Sequence, residues 1–596
     1  MRLTRRNLLN TTVQIASLSS LSRLEADEVS TISPADPGTL LTGILAAYQQ
    51  GKAKVVIPKG TYKFTALPSQ GGPLLPFSDL QNFEIAGEGV TILCPPGGDL
   101  IAFYNCKHVT LTGVELRRDP IPFPQGKITS ISPSRTSYDV RIDRGYPGLD
   151  QANEGAQPVG YLFSRTNRQW KPGSQDYYSQ SVEHLDGSEY RVHMGSPLGL
   201  EIEVGDLIAY RGPGGREIYL GGCESMRILD VSIKSGSGFC VHEDGGEGHH
   251  YYRYSVTYGP RPPGAGDDPL IASNADSFHS SGVRNGPTLK GCHFEGMCDD
   301  GIPIHGSYAL CCEANGKSII ITSHNFRIGD PIRLYNATFG YLGEAKVTAI
   351  AAKPHYKTSQ KSSYRGFADL SKEAFQEIQI DAEFPTLTFD CLLSNPAANG
   401  SGYIVHGCSV RNHRARGMLL KADHGLVENC IVDGSTIDGI VISPEVWWNE
   451  ADYSHNLVIR NNIVSHVGYA TAGEGTDQCG AITLVGEGTL GPGGPGHRHI
   501  LFENNKIENC NGINMLIHSG GDVTVRNNLF LNAQQEPSQR GSALFDTTSL
   551  IVVAMSDGVV LEGNRVQRRG NAGKSMITVM DTAKNVTGTS NGVKLI

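Results

Sequence analysis

The 596-residue chain has no run of 18 consecutive apolar residues, so no stretch of it is long and apolar enough to span a membrane as a helix. Charge is sparse. Charged residues make up 19%, the net charge is −9, and no basic stretch is present. A protein that gathers phosphates needs clustered Lys and Arg, so nucleic acid is not an expected partner. The thirteen cysteines include no CxxC and no metal-type spacing. Most lie in or just before apolar strand patterns (Cys106, Cys223, Cys292, Cys408, Cys430, Cys510), and we read them as small buried hydrophobes, with a disulfide framework the weaker reading. There is no HExxH, and the Gly-rich run at 491–496 has no Gly-Lys-Ser or Gly-Lys-Thr ending. The Gly-Pro run at 491–496 is a loop. No cofactor and no metal is expected.

Glycine, by contrast, is abundant: 72 residues, about 12% where roughly 7% is usual. No Gly-X-Y period accompanies it, which excludes collagen. A short phrase recurs instead: Val427-Glu428-Asn429-Cys430-Ile431-Val432, Ile459-Arg460-Asn461-Asn462-Ile463-Val464, Phe502-Glu503-Asn504-Asn505-Lys506-Ile507 and Val525-Arg526-Asn527-Asn528-Leu529-Phe530. Worn copies start at Leu289, Val405 and Leu561. Val405 to Val427 is 22 residues and Phe502 to Val525 is 23, while gaps of 32, 43 and 36 read as the same repeat with loop insertions. Asn and Gly tolerate the left-handed backbone of a tight corner. A 22–23-residue period with such corners predicts an all-β, right-handed parallel β-helix, in which each rung buries its core only by stacking.

Asp36-Pro37 followed by Leu40, Leu41, Ile44, Leu45 and Tyr48 predicts a short helix that caps the exposed end. Residues 118–219 and 308–403 lack the phrase. Each holds a similar string, Val204-Gly205-Asp206-Leu207-Ile208 and Ile328-Gly329-Asp330-Pro331-Ile332. Both read as small antiparallel β domains, barrel or sandwich, inserted in the solenoid. The predicted layout is an export signal (1–26), a cap and first rungs (27–117), an insertion (118–219), rungs (220–307), a second insertion (308–403) and the last rungs (404–596). Thr4-Arg5-Arg6-Asn7-Leu8-Leu9 resembles a twin-arginine signal, which predicts a periplasmic or extracellular protein.

One segment concentrates chemistry. Asp276 lies 23 residues before Asp299 and 24 before Asp300, one rung in either case, so these carboxylates should stack at about 4.8 Å in backbone. Three acids that close repel, and at least one should hold its proton more tightly. Paired carboxyls, one protonated and one ionised, are what glycosidic hydrolysis needs. Adjacent strand residues point to opposite faces, so Asp299 and Asp300 share a site only at a strand end or bulge, which Gly301 permits. Further candidates for holding a glycan are His279 and His305 near the acids, Arg416 and Lys421 on the next rung, and Glu445, Trp447 and Trp448 in Ser443–Glu450. His242-Glu243-Asp244, one or two rungs upstream, is a weaker candidate.

Asn274-Ala275-Asp276, Asp299-Asp300-Gly301 and His305-Gly306 resemble glycoside hydrolase family 110, bacterial exo-acting α-1,3-galactosidases that invert the anomeric centre. The resemblance covers most of the chain in layout, but in sharp motif only 273–306 and, more loosely, 414–450. It implies a β-helix with inserted β domains, a galactose-containing glycan as substrate, and Asp276, Asp299 and Asp300 as catalytic residues. A more distant likeness to the polygalacturonases, which carry Asn-Thr-Asp, Asp-Asp and Gly-His-Gly, is imperfect here at Ala275 and Ile304. Either resemblance implies Asp299 as general acid, with Asp276 and Asp300 positioning and deprotonating water. Two other readings use the same residues: a β-helix polysaccharide lyase with Arg416 or Lys421 as base, and a non-catalytic glycan-binding β-helix.

Overall fold

A computed structural model describes residues 29–31, 37–150, 158–470 and 477–596. The twin-arginine segment lies outside the described residues. The chain is a parallel β-helix. The first residue of each phrase falls in one column, Val405 against Val427, Ile459, Phe502, Val525 and Leu561 in turn, and all six are buried. The long gaps are therefore loops, because the strands on either side of them pair directly. The corner residue between the two strands of each phrase (Gly291, Gly407, Asn429, Asn461, Asn504, Asn527, Gly563) has φ between 55° and 66°. That conformation explains why Asn and Gly alternate there.

The residue after the corner forms a second column. Asn462, Asn505, Asn528 and Asn564 stack as a buried amide ladder. Asn505 donates from its backbone N and Nδ2 to Asn528 Oδ1 (2.9 and 3.0 Å), and Asn528 does the same to Asn564 (3.0 Å each). Upstream the same column holds Cys430, Cys408 and Cys292, whose thiols point to carbonyls of the preceding rung. All thirteen cysteines are unpaired and buried, as small hydrophobes would be. The helix Pro37–Gln49 covers the first rungs with Leu40, Ile44 and Ala47 buried.

Both insertions are six-stranded antiparallel barrels. In the first, the strands Gln125–Ile131, Ser137–Ile142, Val159–Phe163, Tyr177–Asp186, Glu189–Met194 and Leu207–Tyr210 pair in the cyclic order 1-2-5-4-3-6. In the second, Ile302–Asn315 runs straight out of a rung. It closes with Ser318–Thr322, Pro331–Tyr335, Tyr341–Ala352, Phe375–Ile380 and Leu392–Ser394 in the same order. The similar Gly-Asp strings make the same turn. Gly205 and Gly329 have φ of 97° and 92°, and Asp206 and Asp330 each accept from the backbone N three residues earlier (2.9 and 2.7 Å). They stand before different strands, the sixth and the third, so the likeness is local rather than a shared barrel position.

Each barrel is fixed to the solenoid in its own way. Trp170 of the first donates to Asn412 O (3.1 Å), and its core takes in Leu270, Ile271 and Cys298. The second is tied by buried Arg333, which reaches Asp452 (3.2 Å), Asp423 (2.5 Å) and Tyr453 O (2.7 Å).

Candidate active site

On three successive rungs the chain makes the same bend just before a strand of one sheet: Asn274–Ser277 before Phe278–Ser281, Cys298–Gly301 before Ile302–Asn315, and Arg414–Gly417 before Met418–Leu420. Pairing of these strands puts Asp276, Asp300 and Arg416 in one register column. The bend resolves the alternation problem, because Asp299 and Asp300 precede the strand rather than lying within it.

Arg416 clamps Asp300. Its backbone N and Nε donate to Oδ1 (2.8 and 2.9 Å) and its Nη2 to Oδ2 (2.7 Å). Its Nη1 reaches Glu445 Oε1 (2.8 Å) and Gln478 Oε1 (3.2 Å). Lys421, fully buried, donates to Glu445 Oε2 (2.8 Å) and to Glu450. Burial alone would release its proton, but Glu445 and Glu450 outweigh it and hold the ammonium above its ordinary range. Asp299 sits between two guanidiniums, Arg414 Nη1 at 2.6 Å and Arg211 Nη2 at 2.9 Å. Arg414 is in turn held bidentately by Asp176 (2.7–3.1 Å).

Asp276 has a different setting. Its Oδ2 lies 2.7 Å from His279 Nδ1, His279 Nε2 lies 2.9 Å from His305 Nε2, and His305 Nδ1 lies 2.7 Å from Gly306 O. Burial, then the charges of Asp299, Asp300 and Glu450, push the Asp276 carboxyl well above the usual carboxylate range. Burial also pushes Asp299 up, but Arg414, Arg211 and Arg416 outweigh it and hold Asp299 below its ordinary value. The two carboxyls are thus shifted in opposite directions, Asp276 up and Asp299 down.

The structure thus brings together Asp276, Asp299, Asp300, His279, His305, Arg416, Lys421 and Glu445. Trp447 and Trp448 stand apart from this buried network. They form the exposed tip (60% and 48%) of the short hairpin between Glu445 and Glu450, with Arg365 of the second barrel 4.9 and 5.3 Å from their rings. His242 packs its ring on His279 at 5.0 Å, and Glu243 points inward to Tyr252 and Ser280 as a buried structural group. Sequence reasoning missed Arg414, Glu450, Gln478, Asp176 and Arg211. Arg414 carried a signal, since it shares the Arg-Ala-Arg-Gly bend with Arg416. Asp176 and Arg211 come from the first barrel and carried none.

Ligand atoms of His279, His305 and Glu450 lie within 4.8 Å of one another. The two imidazoles are already in hydrogen-bond contact and Glu450 is bonded to the Lys421 ammonium. These three side chains are accordingly read as part of a hydrogen-bonded network.

Fold and site together define a parallel β-helix with two inserted barrels and a buried, arginine-clamped carboxylate cluster at the strand entrances of one sheet. No protein-family model matches the chain. Curated relatives are named α-1,3-galactosidases, in agreement with the resemblance read from residues 273–306. The chain is 24% identical over 225 residues to α-1,3-galactosidase A of Shewanella woodyi, a match covering 35% of this chain and 33% of that protein. It is 22% identical over 467 residues to α-1,3-galactosidase B of Akkermansia muciniphila (72% and 56%), and 21% identical over 515 residues to α-1,3-galactosidase A of Bacteroides fragilis (81% and 80%). The first of these matches spans only a third of its relative's length. Among solved structures, the catalytic domain of a GH87 α-1,3-glucanase aligns with 95% of this chain and 67% of its own at a TM-score of 0.43 and 9% identity.

Proposed function

We propose that the protein is an exo-acting glycoside hydrolase that removes terminal α-linked galactose, α-1,3-linked as in its relatives, with inversion. The carrying observation is the pair of unlike carboxyl settings at one site, Asp276 against a histidine and Asp299 against two arginines. Hydrolysis by inversion needs one carboxyl that gives a proton to the leaving oxygen and one that takes a proton from water. In this reading Asp276 is the donor, and Asp299 with Asp300 orients and deprotonates water. Arg416, Lys421 and Glu445 form the charged wall that meets the sugar hydroxyls. Trp447 and Trp448 offer aromatic faces to the next sugar out.

The test is a panel of α-galactosides differing in linkage, with the anomer of the first product followed by proton NMR. Release of β-galactose from an α-1,3-linked terminus supports the reading. Release of α-galactose refutes inversion. An unsaturated product from a uronic-acid-containing glycan, whose carboxylate acidifies the hydrogen to be abstracted, seen by its ultraviolet absorbance, would make the protein a lyase with Arg416 or Lys421 as base. No turnover of any galactoside, with binding retained, would make it a glycan-binding β-helix.

A further inference from the structure

The sheet that carries the acids continues upstream of them. Arg216–Gly221 pairs with Phe239–Asp244, and that strand pairs with Phe278–Ser281, so Arg216 and Phe239 precede Asp276 in its column. In a parallel column Tyr219 and His242 precede His279. The alternate residues Ile218, Leu220 and Val241 are buried in the core, so Tyr219 and His242 face outward. Paired strands lie about 4.8 Å apart, which puts Arg216 roughly 10 Å from Asp276 in backbone. The surface between them is aromatic and continuous. The Phe239 ring lies 4.8 Å from His279 and 5.5 Å from His242, His242 lies 5.5 Å from Tyr219, and Tyr219 lies 5.7 Å from Tyr104. The Tyr219 ring crosses Gly221, where a Cβ would meet it at 2.8 Å, and the Arg216 guanidinium stacks on that ring at 3.8 Å.

Polar groups on this floor are left unused. Arg216 gives Nε and Nη2 to Asp99, and its Nη1 has no partner among the described residues. The Tyr104 hydroxyl has none there either, and His242 Nδ1 is buried without one. Burial holds the His242 ring neutral, its pKa lowered to about 2. Flat rings flanked by unused donors suit a sugar, whose C–H face lies on a ring while its hydroxyls take the donors. Charge then selects the kind of sugar. Asp99 binds Arg216, Arg216 stacks on Tyr219, and the Tyr219 hydroxyl donates to Asp244 (3.1 Å). This joined set holds two carboxylates and one cation, so a sulfate or a uronate would meet net negative charge and a neutral sugar would not.

We propose that Arg216, Tyr219, Phe239 and His242 form a subsite for a neutral sugar on the leaving-group side, two strands upstream of the acids. The terminal galactose occupies the acid end, and the rest of the glycan runs over this floor toward the N-terminal rungs. The substrate class is then a neutral, galactose-terminated oligosaccharide longer than a disaccharide. The galactose end of this statement rests on the glycosidase reading. The upstream floor can be tested without turnover.

Isothermal titration calorimetry of the full chain with neutral galactotriose that lacks an α-1,3-linked terminus reads the subsite directly, with free galactose as the reference. The wild-type protein should bind galactotriose. Tyr219→Ala should weaken it about tenfold relative to galactose. Arg216→Lys, which keeps a charge beside Asp99 but loses the flat guanidinium, should weaken it about threefold. Sulfated galactotriose should bind less tightly than the neutral form. The proposal is overturned if wild type does not bind galactotriose, if both variants bind it as wild type does, or if galactose and galactotriose are lost equally. Tighter binding of the sulfated form overturns it as well. Tyr219-dependent binding in a protein that cleaves no galactoside keeps the subsite and refutes the glycosidase reading instead.

Discussion

Two columns of stacked side chains run along this solenoid, and they use opposite chemistry. The amide ladder repeats one neutral residue, so every rung satisfies the next with the same two hydrogen bonds. The column of Asp276, Asp300 and Arg416 repeats a backbone bend but changes the side chain at each rung, and it buries charge that only unlike neighbours neutralise. The ladder stabilises the fold. The charged column spends stability on a site.

Breaking the two columns should therefore have different signatures. The largest stability loss is expected from Lys421→Met, which leaves Glu445 and Glu450 facing each other in the interior and should cost about 3–5 kcal/mol in urea unfolding. Asn528→Ala strips Asn505 of an acceptor for its backbone N and Nδ2 and should cost about 1–3 kcal/mol, with kcat unchanged. A fall in kcat there would blur the comparison.

Asp299→Asn sharpens it by pH. The folded-state pKa of Asp299 is depressed, so its stabilisation is present above its unfolded pKa of about 3.9 and is lost as pH falls through the lower folded value. The Asn variant should lose less stability than the wild type below about pH 4 in thermal unfolding. The smallest effect belongs to the hairpin tip. Trp447→Ala with Trp448→Ala should raise KM about fivefold for a long glycan and leave an aryl galactoside unchanged.

The solenoid was legible because its signal is periodic. The Asn and Gly corners, the buried first residue of each phrase and the loops between copies all follow from one 22–23-residue beat. Asp276, Asp299 and Asp300 were legible for the same reason, since one rung separates them, and Arg416 and Lys421 because they lie on the rung that begins after the second insertion. Asp176 and Arg211 were not. A closed barrel delivers them from up to 124 residues upstream of the Asp-Asp pair, and no local pattern records where a barrel loop lands. Nor does residue type reveal which way the proton affinity of each acid is shifted. Asp276 and Asp299 are the same side chain, and the arginines around one of them make the difference.

The most direct test compares Asp276→Asn with Asp299→Asn on an α-1,3-linked galactose disaccharide and on a nitrophenyl α-galactoside, whose leaving group needs no proton. Asp276→Asn should lose about a thousandfold in kcat/KM on the disaccharide and far less on the nitrophenyl substrate, while Asp299→Asn should lose equally on both. The reverse pattern, with the nitrophenyl substrate sparing Asp299→Asn alone, would contradict the assignment of the proton to Asp276.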